Sequence, residues 1–311
     1  MVNLVGRHLI SPNDLSLEEI STIVALGQNM KRNRADYAEL CRGKILATLF
    51  YEPSTRTKLS FESAMLRMGG SILGFSDASS SSAAKGESIA DTIRVLASYA
   101  DVAVMRHPRE GAPKVASEYS TIPIINGGDG GHQHPTQTLT DLITIDTYIG
   151  RMENLEVAFC GDLKYGRTVH SLIETLARFP GSRFHLVSPE ELVLPRRLKE
   201  HLTKIYGCEL IEYRRMEEAL PHVDILYMTR IQKERFFNEA DYLRLKNSFI
   251  LDADKMKLAK QKMIVMHPLP RVNEIAYEVD DDPRAVYFQQ AELGVYVRMA
   301  LMAHQLGVAN Q

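Results

Sequence analysis

The run Phe50-Tyr51-Glu52-Pro53-Ser54-Thr55-Arg56-Thr57 gathers three hydroxyls and a guanidinium behind an apolar stretch, at a turn marked by proline. If the stretch is a strand and the turn opens a helix, free amides, the positive end of the helix dipole and these donors converge. That is the chemistry of a phosphate cradle. An ordinary Ser or Thr cap accounts for one such residue, but not for Ser54, Thr55, Arg56 and Thr57 together. A second glycine-rich turn, Gly127 to Gly131, leads into His132-Gln133-His134-Pro135-Thr136-Gln137. Pro135 suits the first position of a helix, so His134 and Gln137 are expected in a strand-end crevice, where open α/β sheets bind ligands. His132 and His134 have no third metal ligand nearby, so hydrogen bonding is favoured and no metal is expected.

Two further segments carry charge beyond apolar runs. Gly161-Asp162-Leu163-Lys164-Tyr165-Gly166-Arg167-Thr168 nearly spells the G-x-x-x-x-G-K-[ST] phosphate loop, but Arg167 stands where the lysine belongs. Leu163, Lys164 and Tyr165 also fill a loop that would have to wrap closely around phosphates, so a carboxylate site is favoured over a nucleotide site. Tyr227 to Arg235 sets Arg230, Lys233 and Arg235 just past another apolar run. Arg230 follows that run directly and is placed for a crevice, although a charge run is usually a solvated face. Ser76 to Ala84, ahead of Lys85-Gly86-Glu87, reads either as a flexible surface loop or as a lid whose hydroxyls and lysine close over an anion.

The elements that must position these residues alternate between short apolar runs and helical patterns. Strands are expected over Ile45–Phe50, Val102–Met105, Ile122–Ile125, Glu156–Cys160, Arg183–Val187, Ile225–Met228 and Ile264–Met266. Between them Leu59, Phe61, Met65 and Met68 trace one side of a helix stopped by Gly69-Gly70, and Leu172, Leu176 and Phe179 trace another before Pro180-Gly181. The fold class is α/β, with two doubly wound domains, each a mainly parallel sheet flanked by helices. The break near Gly150 to Asn154 separates domain 1–149 from domain 150–288, and a helix in 289–311, with Val295, Met299 and Met302 on one face, packs back on the first.

The 311 residues fit about two domains. The 37 Lys and Arg nearly balance 39 Asp and Glu, so the formal charge of -2 offers no field for nucleic acid or an anionic membrane, and any positive site is local. Cys41, Cys160 and Cys208 are too few for a disulfide framework and too dispersed for structural zinc, which favours a reducing cytoplasm. Met1 to Ile10 lacks the apolar core of a signal peptide, and no apolar run reaches membrane-spanning length.

Taken in order, Phe50 to Thr57, Lys85-Gly86-Glu87, Met105-Arg106-His107-Pro108, His134 to Gln137, Gly161 to His170, Met228 to Arg235 and His267-Pro268-Leu269-Pro270-Arg271 closely resemble the catalytic chains of aspartate transcarbamoylases (aspartate carbamoyltransferases). Ser54-Thr55-Arg56-Thr57 and His134-Pro135-Thr136-Gln137 are shared by transcarbamoylases generally, whereas Gly161 to His170, Arg230 to Arg235 and His267 to Arg271 look specific to the aspartate enzymes. The resemblance implies that carbamoyl phosphate is held by Ser54, Thr55, Arg56, Thr57, Arg106, His134 and Gln137, with Ser81 and Lys85 reaching in from a neighbouring subunit of a homotrimer. Ser79, Ser80 and Ser82 remain alternatives to Ser81, since the loop looks one residue shorter than in some relatives. It further implies that aspartate is bound by Arg167, Arg230 and Gln232, assisted by Lys164, Thr168 and the Leu269 backbone, and that Glu52, Arg167 and Arg235 bridge the domains in a closed form.

By the same resemblance, the α-amine of L-aspartate attacks the carbonyl carbon of carbamoyl phosphate, an early step of de novo pyrimidine biosynthesis. Arg56, Thr57, Lys85, Arg106 and His134 form the catalytic set, and no cofactor is needed. Separate regulatory chains could join the trimer. Rival readings are transfer to ornithine, a nucleotide-binding loop at Gly161 to Thr168, and a partner-binding subunit without catalysis.

Overall fold

The computed structural model describes residues 2–77, 86–231 and 249–309. The chain divides into two compact units, Met1–Ile143 with Glu292–Gln311, and Thr144–Ala291. The break read from the sequence lies at the end of a helix, Pro135–Ile149, that runs across the first division.

In the first unit β1 (Ile45–Phe50), β2 (Ser71–Phe75), β3 (Val102–His107) and β4 (Ile124–Asp129) form a wholly parallel sheet in the order β2-β1-β3-β4. β1 and β3 are near-continuous apolar runs because both of their faces are covered. Ala47, Leu49, Ala103 and Met105 share one core cluster with Ile93, Leu96 and Ala116. The unit also contains α1 (Leu17–Arg32), α2 (Thr55–Arg67), α3 (Ile89–Leu96), α4 (Ala112–Tyr119) and the start of α5 (Pro135–Ile149). The C-terminal helix, Tyr287–Gln305, returns to it from Glu292 onward. Its Glu292 accepts from Lys31 and Arg34, and Gln305 Nε2 donates to the Arg7 carbonyl at 2.9 Å.

In the second unit β5 (Glu156–Cys160), β6 (Arg183–Val187), β7 (Glu209–Tyr213), β8 (Ile225–Met228) and β9 (Ile264–Met266) are again all parallel, ordered β7-β6-β5-β8-β9. Helices α6 (Arg167–Leu176), α7 (Arg196–Tyr206) and α8 (Met216–Ala219) follow β5, β6 and β7. Ala158, Leu226, Met228 and Val265 belong to a core cluster that also takes in Met216, Leu251, Ile275 and Tyr287.

Three sequence expectations need correction. β2 and β7 were not expected; both are edge strands with mostly exposed or half-buried side chains, so neither shows an apolar run. Leu59 is exposed, and Ala64 joins Phe61 and Met65 on the buried side of α2. The C-terminal helix is buried nearly all round from Leu293 to Ala303 and has no single apolar face; Val295 is only half-buried.

Candidate active site

A parallel sheet places the carboxyl ends of all its strands on one edge. A crevice opens on that edge where neighbouring strands send their following connections in opposite directions. In the order β2-β1-β3-β4 that point lies between β1 and β3, which pair Phe50 with Arg106. Ser54 sits at the N-cap of α2, and Thr55, Arg56 and Thr57 form its first turn. Ser16 and Ser88 cap their helices through their side chains, at Glu19 and Asp91, whereas Ser54 makes no side-chain cap bond. The ordinary-cap reading therefore fails for Ser54, and the start of α2 keeps the character of an anion site. Thr57 is buried, while Arg56 is exposed.

Arg106 is largely withdrawn from solvent. Its Nη2 lies 2.7 Å from Glu52 Oε1 and its Nη1 donates to the Gly127 carbonyl at 3.2 Å. Burial pulls the guanidinium below its ordinary pKa, and Glu52 opposes that pull. Glu52, expected to bridge the domains, thus engages a cation of its own unit. A register shift between β3 and β4 at Met105/His107 accompanies the turn at Gly128, whose φ is +117°. A Cβ there would lie 2.7 Å from Arg106 Nη1 and 3.4 Å from His134 Cδ2. The guanidinium and imidazole converge on a position that only glycine leaves open.

His134 is buried, and its carbonyl accepts from the amides of Gln137 and Thr138 as α5 begins at Pro135. Gln137 Nε2 donates to Asp141 Oδ1 at 2.8 Å. His132, by contrast, is exposed and lies 3.1 Å from Asp129 Oδ2. Among the described residues no group of three or more His, Cys, Asp or Glu could hold a metal ion.

In the second unit the corresponding switch point lies between β5 and β8. Gly161 leaves β5 with φ +117°, and Asp162 Oδ1 accepts from the amides of Lys164 and Tyr165 at 3.1 and 2.9 Å. A carboxylate therefore fills the centre of this loop and takes up its amides, the opposite of a phosphate loop. Arg167 and Thr168 open α6, both half-buried, and Arg230 stands two residues beyond β8, after the buried Thr229. Lys164 is exposed, its ammonium 5.1 Å from the Tyr165 ring centroid.

Leu269 has φ +54° and precedes a cis bond to Pro270, and its amide donates to His267 Nδ1 at 2.8 Å. His267 Nε2 lies 2.7 Å from the buried Glu274, which also accepts from the amides of Val272 and Asn273. Burial opposes ionisation of Glu274, but His267, its own amide and that of Val272 hold its pKa below the ordinary value. Ser79, Ser80, Ser81, Ser82, Lys85, Gln232, Lys233 and Arg235 lie outside the described residues.

Family comparison adds an independent line. Residues 7–147 match the model of the aspartate/ornithine carbamoyltransferase carbamoyl-P binding domain, and residues 153–305 match that of the Asp/Orn binding domain. The chain belongs to the aspartate/ornithine carbamoyltransferase family. It is 66% identical over 307 residues to the aspartate carbamoyltransferase catalytic subunit of Alkaliphilus metalliredigens, covering 99% of each chain. It is 59% identical to that of Clostridium kluyveri, over 98% of this chain and 99% of the relative. Among solved structures, the catalytic subunit of M. jannaschii aspartate transcarbamoylase aligns with a TM-score of 0.90 at 50% identity, over 96% of this chain and 97% of that one. Aspartate transcarbamoylase from Trypanosoma cruzi, in complex with carbamoyl phosphate and aspartate, aligns with 0.91 at 41% identity over 97% and 98%.

Several supports of this candidate site escaped the sequence reading. Asp129 is buried and accepts from Asn126 Nδ2, the Gly111 amide and the Gln133 amide, fixing the β4–α5 turn. Asp162 and the His267–Glu274 pair do the same for the second-unit loops. The signal available was an Asp following glycine in a turn, the pattern of a side chain that bonds its own backbone; nothing in the spacing of His267 and Glu274 marks them as partners.

Proposed function

We propose that this chain transfers the carbamoyl group of carbamoyl phosphate to the α-amine of L-aspartate, giving N-carbamoyl-L-aspartate and phosphate, an early step of de novo pyrimidine biosynthesis. The observation that carries the reading is the occurrence of one cationic, hydroxyl-bearing set at the switch point of each parallel sheet. The relatives' shared name supports the choice of aspartate.

Domain 1–149, completed by the returning helix, holds carbamoyl phosphate. A dianionic phosphate requires cationic forks, hydroxyls and helix amides, which Ser54, Thr55, Arg56, Thr57, Arg106, His134 and Gln137 supply. Domain 150–288 holds aspartate: Arg167 and Arg230 suit its two carboxylates, with Lys164, Thr168, Gln232 and the Leu269 backbone beside them. Each charge-assisted hydrogen bond contributes about 1.5–3 kcal/mol, enough in sum to select a dicarboxylate.

The neutral amine attacks the carbonyl carbon and a tetrahedral species forms. Its bond to the phosphate oxygen then breaks, and the departing phosphate accepts the amine proton. Thr57, Arg106 and His134 stabilise the oxyanion; the burial of Arg106 makes its charge more effective there than in water. Arg56 and Lys85 neutralise charge growing on the phosphate. Ser81 and Lys85 come from the neighbouring subunit of a homotrimer, which works in the cytoplasm and can accept separate regulatory chains.

The test is carbamoyl aspartate formation by the purified chain, with oligomeric state measured alongside. Arg56→Ala is expected to lower kcat about 100- to 1,000-fold. Undiminished turnover by that variant, or turnover with ornithine and not aspartate, overturns the reading.

A further inference from the structure

Arg298 lies in the middle of the C-terminal helix and is 5% exposed. Its Nη1 donates to Ser60 Oγ on α2 at 2.7 Å, and its Nη2 lies 3.5 Å from Thr136 Oγ1 on α5. The guanidinium carbon sits 5.0 Å from the Phe61 ring centroid, and Nε is buried without a hydrogen-bond partner among the described residues. Room for it comes from Gly294 one turn earlier, where a Cβ would stand 2.7 Å from Nη1 and 3.0 Å from Thr140 Oγ1. Burial pulls the guanidinium below its ordinary pKa, with Asp141 opposing. Asp141 is the acceptor of the Gln137 side-chain amide.

A buried cation with so few partners is costly, and a hydrocarbon side chain would pack there more cheaply. What distinguishes the position is the pair of helices it joins. Ser60 stands one turn beyond Thr55–Thr57 on α2, and Thr136 stands between His134 and Gln137 at the start of α5. These two helix starts carry most of the groups assigned above to carbamoyl phosphate.

We propose that Arg298 is a positioning residue for the phosphate-binding half of the site, tying the second turn of α2 to the first turn of α5 and lending both helix starts a desolvated positive charge. The proposal rests on the functional reading above. Two effects follow from the one side chain. The tether sets the spacing between Ser54–Thr57 and His134–Gln137. The charge adds to the positive ends of two helix dipoles and favours a dianion over a monoanion in front of them.

The test compares wild type, Arg298→Met and Arg298→Lys by calorimetric titration with inorganic phosphate, and by KM for each substrate, well below the melting temperature of each. Arg298→Met is expected to weaken phosphate binding about tenfold, the scale of one weakened charge-assisted contact. The KM for aspartate should stay within about twofold, and Arg298→Lys should recover part of the loss by restoring the charge. A purely structural role would lower the melting temperature and leave phosphate affinity unmoved in the folded protein, which overturns the proposal; so do equal changes in both substrates. Should Arg298→Met not fold, Ser60→Ala with Thr136→Val removes the tether and keeps the charge. Phosphate binding weakened by that pair supports the proposal, and unchanged binding overturns it. A wild type that binds no phosphate, or binds it equally well as Arg56→Ala, sinks the functional reading itself.

Discussion

Gly128→Ala separates folding from function at this site. At φ +117° an alanine costs about 1–3 kcal/mol in backbone strain. Its methyl would stand 2.7 Å from Arg106 Nη1, where ordinary contact begins at 3.4 Å, so the guanidinium must retreat by about 0.7 Å. The obstructing atom is the end of a flexible side chain, so the fold yields cheaply. The 3.2 Å bond to the Gly127 carbonyl and the 2.7 Å pair with Glu52, however, are both disturbed. The imidazole of His134, at 3.4 Å, is touched but not pushed. A displacement of this size at an oxyanion donor should lower kcat/KM about 100-fold. Strain alone should lower Tm by about 2–4 °C per kcal/mol for a domain of this size. The assays are steady-state carbamoyl aspartate formation and a thermal melt on the same preparation. A folded variant with kcat/KM within about threefold of wild type would refute the assignment of Arg106 to the reacting centre.

Gly161→Ala, at the same φ, should behave differently because its Cβ would stand 2.3 Å from the Thr229 carbonyl oxygen, a backbone atom that cannot swing away. A loss of about 3 kcal/mol or more is expected, read as a fall in Tm, and near-native melting would contradict it. Glu274→Gln should cost about 3–5 kcal/mol by leaving His267 and two amides poorly matched, and should raise KM for aspartate through the Leu269 loop. Because the folded pKa of Glu274 lies below its ordinary 4.5, its stabilisation is complete above about pH 4.5 and is lost as pH falls through the folded value. Melting from pH 7 to pH 3 should therefore show an acid-sensitive component in wild type that the glutamine variant lacks.

The buried strands were legible because parallel strands covered on both faces must be apolar throughout; β1, β5, β6 and β8, and the buried edge strand β9, carry the expected bounds. β2 and β7 were not, since their side chains are exposed or half-buried and leave no apolar run to betray a strand. The residues proposed to meet substrates were visible as unusual donors at helix starts. Their supports were less so: Asp129, Asp162 and Glu274 act through hydrogen bonds to backbone amides, and such partners leave no periodic trace. Arg298 falls in a helix expected to have one apolar face, yet that helix is enclosed on nearly all sides, where a charge is informative and a stripe is not.

Because Glu292–Gln311 belong to the same compact unit as Met1–Ile143, that unit is discontinuous in the chain. During synthesis, which favours folding from the amino end, β1 through β4 emerge early yet lack the helix that packs with α1. The second unit, contiguous in sequence, can complete itself while the first still waits. A nascent chain therefore completes the first unit last, after translation has passed residue 305.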